Sequence, residues 1–162
     1  MPVVEKNTVH LDELDRKLLE LVQTDAKMTI KELAEQLHLS TTPVFERVKR
    51  LEKEGYIDRY VAVLNRKKVG LGLLVMCDVS LKEHNRDYIQ QFESAVRQLK
   101  EVMECYHIAG AFDYLLKVVV TDMDAYQQFV KEKLATLDNI GRVQSYFVMT
   151  EVKSSTRIQV LP

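Results

Sequence analysis

The sequence predicts an α+β protein in two parts, an N-terminal winged-type helix-turn-helix domain followed by a ferredoxin-like βαββαβ domain. Three observations carry that prediction. From Thr29 to Gly55, two runs of apolar residues recur at helical spacing, with only a tight connection at His38 and Leu39 between them. From Leu73 onward, strand-like and amphipathic helical segments alternate in the order βαββαβ, two split βαβ units side by side. Between these regions, Asn65 to Lys68 is polar and basic, and Gly70 and Gly72 punctuate the run into the first strand, which sets the domains at 8–66 and 67–162.

The first helix starts near Asp12, a plausible N-cap, and places Leu14, Leu18, Leu21 and Val22 on one side. It is the natural third member of a three-helix domain, because a lone pair of short helices buries too little apolar surface. Thr29 and Glu32 stand at capping-box spacing, and Ile30, Leu33, Ala34 and Leu37 make one apolar face after them. Ser40 is the next N-cap candidate. Pro43 falls in the first turn of the second of these helices, where its missing N–H costs no intrahelical bond. Val44, Val48 and Leu51 make the buried stripe of that helix; the opposite face carries Thr42, Glu46, Lys49 and Lys53, with Arg50 beside it. Gly55 supplies a left-handed stop.

An amphipathic core helix with a solvated charged side gives much of this pattern. Three features count against that simpler reading: the preceding turn is short, small hydroxyl residues open the outer face, and basic residues dominate its later turns. A recognition helix wants this arrangement, with small polar groups near base edges and cations on phosphates. The candidate DNA-contacting residues are Ser40, Thr41, Thr42, Pro43, Glu46, Arg47, Lys49, Arg50 and Lys53. After Gly55, YIDRYVAVLN is rich in β-branched and aromatic residues and reads as a strand, serving either as a wing or as an arm to the next domain.

In the second domain, strands are expected at 73–81, 102–109, 112–121 and 143–152, with helices at 88–99 and 123–137. Right-handed crossovers put both helices on one face of an antiparallel sheet. The first strand alternates Leu73, Val75, Cys77, Val79 with Leu74, Met76, Asp78, Ser80; the last sets Val143, Phe147, Met149 against Tyr146, Val148, Val152. Apolar residues on both faces call for a partner over the open one, and a second copy of the chain is the simplest candidate. A symmetric dimer also brings two recognition helices to a palindromic site.

Composition bounds the function. With 46% apolar and 29% charged residues the chain is globular rather than disordered. No apolar run reaches the length of a membrane span, and MPVVEKNTVH lacks the regions of a signal peptide, so a cytoplasmic protein with no membrane partner is expected. Cys77 and Cys105, both in apolar surroundings, imply no disulfide framework. The net charge of -1 is unlike that of a protein coating nucleic acid without specificity, yet from Arg47 to Lys68 eight basic residues stand against three acidic ones. That run is a local electrostatic footprint suited to DNA.

The segments LDELDRKLLELVQTDAKMTIKELAEQLHLSTTPVFERVKRLEKEGYIDRYVAVLN, HIAGAFDYLLKVVVTDMDAYQQF and QSYFVMTEVKSS together resemble the Lrp/AsnC, or feast/famine, family of transcription regulators over nearly the whole length. The resemblance implies a DNA-binding front, an amino-acid-binding back and no further cofactor. It implies an effector site between neighbouring subunits at the loop Ala109–Asp113, with Gly110, Ala111, Phe112 and Asp113 in it. For leucine-responsive members it adds the positions Met123, Tyr146, Phe147 and Val148, and an effector that is leucine or a similar apolar amino acid. It also implies dimers assembling to an octamer. The chemistry is sensible: a glycine lets N–H groups approach a carboxylate, and Asp113 offers a counter-charge for an ammonium. On the bare residues, Gly110 and Asp113 are ordinary turn chemistry. Ala111 departs from the acidic or polar residue of many relatives, which leaves open methionine, another amino acid or no effector.

Two rival readings stand beside this one. Cys105 and His107 fall on the same side of a strand and are half of a nucleophile–base or zinc arrangement, but no third residue comes after them at suitable spacing, and His10, His38 and His84 are scattered. An enzyme is therefore not expected. The other rival is an architectural protein that wraps DNA with little sequence preference and little effector response.

Overall fold

The computed structural model describes residues 11–161; the expected domain limits at positions 8 and 162, and His10, lie outside the described residues. The chain divides into two compact units. Among the described residues the first comprises 11–62 with 153–161, and the second 63–152.

The first unit holds α1 (Glu13–Thr24), α2 (Ile30–Leu37) and α3 (Thr41–Lys53). Their apolar faces close on Leu18, Leu19, Leu33, Ala34, Leu37, Val44, Val48 and Leu51. Capping boxes start two of the helices. Asp15 N–H donates to Asp12 at 2.8 Å and Asp12 N–H to Asp15 at 3.2 Å. The Thr29 N–H likewise donates to Glu32 at 2.7 Å, and Glu32 N–H to Thr29 Oγ1 at 3.2 Å. Such reciprocal pairing satisfies N–H groups that a helix start otherwise leaves orphaned. His38, at φ 55°, makes the left-handed turn between α2 and α3. Ser40 occupies the N-cap position of α3 by backbone geometry, but its side chain makes no capping hydrogen bond. Gly55 ends the helix at φ +78°.

Two expectations for this unit are corrected. Residues 56–65 form no strand, for their backbone finds no ladder partner among the described residues. Strand propensity reflects packing on a pleated, half-buried surface, and here Val61, Val63 and Leu64 stay 63%, 74% and 69% exposed. Second, the tail 153–161 belongs with the helices rather than with the second domain. Gln23 donates to Ile158 O at 3.1 Å and accepts from Ile158 N–H at 2.9 Å, while Val160 packs on the helical core.

The second unit is the expected βαββαβ sandwich. It runs β1 (Leu73–Leu81), α4 (Arg86–Val96), β2 (Val102–His107), β3 (Tyr114–Val120), α5 (Met123–Phe129) with a π turn (Val130–Leu134), and β4 (Ile140–Phe147). The sheet order is β2-β3-β1-β4, antiparallel throughout. Register sets Val75, Cys77 and Val79 opposite Val118, Leu116 and Tyr114, and this face meets Phe92, Val96, Tyr126, Phe129 and Leu134 of the helices. Inside that core the Tyr126 hydroxyl lies 2.8 Å from Cys77 Sγ and 2.5 Å from Ser145 Oγ, so each of these polar groups has a partner.

The other face carries Leu74, Met76 and Asp78 of β1, opposite Val119, Lys117 and Leu115 of β3. It is thus apolar but not uniformly so. Lys117 bridges to Glu104 at 2.8 Å, and buried Asp78 accepts from the Tyr146 hydroxyl at 2.8 Å. The β4 strand begins and ends earlier than expected, and Met149 and Val152 beyond it are exposed at 99% and 93% rather than packed on the sheet.

Candidate functional site

The core of the first unit fixes which side of α3 is free. Val44, Val48 and Leu51 point inward, so the helical period turns Thr42, Phe45, Glu46, Lys49 and Lys53 outward, and all five are exposed. Thr41 and Pro43 lie in the first turn, just after Ser40, and are exposed too. The hydroxyl-then-cation order expected of a recognition helix is therefore presented on one surface.

Arg47 and Arg50 are not on that surface as free cations. Asp15 is fully buried, and its two oxygens take Arg47 at 2.7 Å and Arg50 at 2.5 Å. Arg47 also reaches Asp12 at 2.6 Å. Its bonds to Asp15 and then Asp12 raise the guanidinium's pKa further. Partial burial opposes ionisation of Asp12, but the Asp15 N–H and Arg47 outweigh it and lower that carboxyl. These two arginines join α3 to the start of α1, while their side chains keep 26% and 40% of their exposure. Removing one partner of such a pair leaves an uncompensated charge in a partly dry setting. Lys49 is held more loosely, 2.9 Å from Glu52 and 5.9 Å from the centre of the Phe45 ring. Lys53 has no ion-pair partner among the described residues. Phe45, 43% exposed, is an outward residue that the sequence pattern passed over. Its position three residues after Thr42 and four before Lys49 was the available signal.

The expected effector residues fall into two groups. The loop with Gly110, Ala111, Phe112 and Asp113 joins β2 to β3 at one end of the sheet, whereas Met123, Tyr146, Phe147 and Val148 gather at the other. At 3.3 Å per residue, β3 separates Asp113 from the start of α5 by on the order of 25 Å. One chain does not bring the groups together. At the far end, Phe147 meets the Tyr126 ring edge-on at 5.4 Å, and Met123 and Phe147 are 43% and 44% exposed.

Gly110 has no positive φ, and a Cβ built there meets only Ile108 Cγ2 at an ordinary 3.6 Å. The fold of the chain does not itself demand glycine at this position. Asp113, expected to wait for an ammonium, is already engaged. Its Oδ2 accepts from Leu81 N–H at 2.7 Å and its Oδ1 lies 2.8 Å from His84 Nε2. Its own N–H donates to Val79 O at 3.0 Å. Partial burial works against ionisation, but the Leu81 N–H and His84 outweigh it and lower the carboxyl's pKa. Asp113 thus ties the loop to the end of β1.

The remaining candidates do not assemble a reacting centre. Cys105 is exposed on edge strand β2, whereas Cys77 is buried, and His107 stacks on Tyr114 at 4.7 Å. Among the described residues no group of three metal-ligating side chains occurs. Two grooves of the second unit, about 440 and 400 Å³, lie along β2 against α4 and along β3 against α5, and none of the expected effector residues lines either. No described helix is long and apolar enough to cross a membrane.

Comparison with known proteins agrees with this arrangement. A family model described as Winged helix-turn-helix DNA-binding matches residues 11–58, and one described as Lrp/AsnC ligand binding domain matches 74–158. The leucine-responsive regulatory protein of Klebsiella pneumoniae is 41% identical over 150 residues, covering 93% of this chain and 92% of that protein. Among solved structures, a transcriptional regulator of Neisseria meningitidis in complex with L-methionine superposes with a TM-score of 0.89 at 36% identity, covering 92% and 96% of the two chains. An AsnC family transcriptional regulator from Agrobacterium tumefaciens superposes with a TM-score of 0.87 at 36% identity, covering 91% and 96%.

Proposed function

The chain belongs to the Lrp/AsnC family of transcription regulators, and from that premise we propose that it reads duplex DNA with the outward face of α3 and responds to an apolar amino acid held between subunits. The observation that carries the first half is the exposed run Thr41, Thr42, Glu46, Lys49 and Lys53 over a fully buried inner stripe. Threonine and glutamate are short enough to meet base edges, and the lysines suit phosphates. Thr42→Ala and Glu46→Ala should change which sequences are bound. Lys53→Ala should weaken all sequences alike and reduce the slope of log K against log salt by about 0.9. Lys49→Ala should do less, because Glu52 already offsets its charge. Titrating labelled duplexes at several salt concentrations tests this, and an unchanged slope for Lys53→Ala would turn the helix away from DNA.

For the effector, the separation of the two residue groups within one chain supports a site that two copies complete. The methionine complex of the Neisseria relative and the name of the Klebsiella relative favour leucine or methionine. Met123 and Phe147 are the apolar, half-exposed side chains suited to such a ligand. On the sheet face away from the helices, half-buried Met76 and Leu115 lie beside exposed Tyr146 and Tyr106, which supports pairing of copies, and family membership favours dimers closing into an octamer. Light scattering of the full chain at micromolar concentration should give at least twice the monomer mass; a monomer would remove the shared site.

A further inference from the structure

We propose that Phe45 is a specificity-determining residue of α3, reading thymine through its C5-methyl group in the major groove. The proposal rests on the reading of α3 as the DNA-contacting helix. The three inward residues Val44, Val48 and Leu51 already fill the core side of the helix, at 0%, 6% and 0% exposure. Phe45 takes no part in that cluster and stays 43% exposed. It is flanked at helical spacing by Thr42 and Lys49, and the Lys49 ammonium lies over its ring at 5.9 Å. An aromatic ring set among a hydroxyl and a cation, on the face offered to DNA, is matched to a duplex rather than to an apolar protein surface. The thymine methyl is the apolar group that base edges present in the major groove, and phenylalanine is one of the side chains that meets it. Lys49 beside the ring suits the neighbouring phosphate, so the pair would combine sequence reading with backbone anchoring.

Uracil tests this cleanly, since it differs from thymine only by that methyl group and leaves every hydrogen-bonding edge and phosphate in place. A duplex is first selected with the full-length wild-type protein from a pool of randomised sequences, and each thymine is then replaced singly by uracil. Wild type should lose about fourfold in affinity at one or two positions, as expected for one buried carbon at about 0.8 kcal/mol. Phe45→Ala should bind thymine and uracil duplexes alike at those positions, while Phe45→Leu should keep part of the discrimination. The melting temperature of Phe45→Ala should match wild type, separating a reading role from a folding one. Wild type indifferent to uracil throughout, or Phe45→Ala with undiminished discrimination, overturns the proposal while leaving the DNA-binding function standing. Failure to select any duplex overturns that function and the proposal with it.

Discussion

Replacing Asp15 with alanine is expected to lower the melting temperature of the helical unit by on the order of 10–20 °C. The buried carboxylate gathers Arg47 and Arg50 from α3 and takes the Asp12 N–H in the capping box of α1. Removing one partner of a fully buried ion pair costs about 3–5 kcal/mol. The arginine side chains here keep 26% and 40% of their exposure, so solvent screens what is left behind and about 2–3 kcal/mol is the fitting scale. In a unit of this size each kcal/mol moves the midpoint by about 4–8 °C. Asp15→Asn, which keeps the shape and two hydrogen-bonding atoms but not the charge, should fall between. Far-UV circular dichroism on the full chain measures this; a midpoint within about 3 °C of wild type for Asp15→Ala would show that the clamp does not hold α1 to α3.

The second large effect is expected at Asp113. Asp113→Ala leaves Leu81 N–H without its acceptor and releases His84, at a cost of about 1–3 kcal/mol to the sheet unit. Asp113→Asn can still accept from Leu81 through its amide oxygen and should cost under about 1 kcal/mol. The charge sets a pH signature. Because the carboxyl is lowered from its ordinary value of 3.8 in the folded chain, its contribution is fully present above that value and is lost as pH falls below it. The Asn variant should therefore show a shallower loss of stability with acid. Urea titrations between about pH 2 and pH 5 compare the three proteins, and identical acid limbs for wild type and Asp113→Asn would mean that the carboxylate makes no ionised bond to the end of β1. Calorimetry with leucine or methionine then shows whether any loss of effector affinity exceeds the loss of fold.

Local chemistry was the legible part of this chain. Thr29 and Glu32 announce their own capping box, and β1 begins and ends where the pattern placed it, at Leu73 and Leu81. Val44, Val48 and Leu51 are buried as their spacing requires, because a helical period settles inside from outside without reference to the rest of the fold. What escaped depends on partners distant in sequence. Asp15 sits 32 and 35 residues from the arginines it holds, and nothing near it says that it is buried. Asp113 reads as turn chemistry because its acceptor role is written 32 residues away, in the N–H of Leu81. YIDRYVAVLN has the composition of a strand, but composition supplies no neighbour, and an unpaired backbone is not a sheet.

The tail that returns to α1 bears on how the protein is made. Gln23 and Ile158 are 135 residues apart, so at about 5–20 residues per second the ribosome completes that pairing roughly 7–27 s after α1 is synthesised. During that interval the three helices stand without their last strap, while the whole sheet unit is still being translated. The helical unit is thus finished last although it is begun first. A release of nascent chain before Ile158 would leave Gln23 facing water and Val160 missing from its place, on a helix bundle otherwise complete.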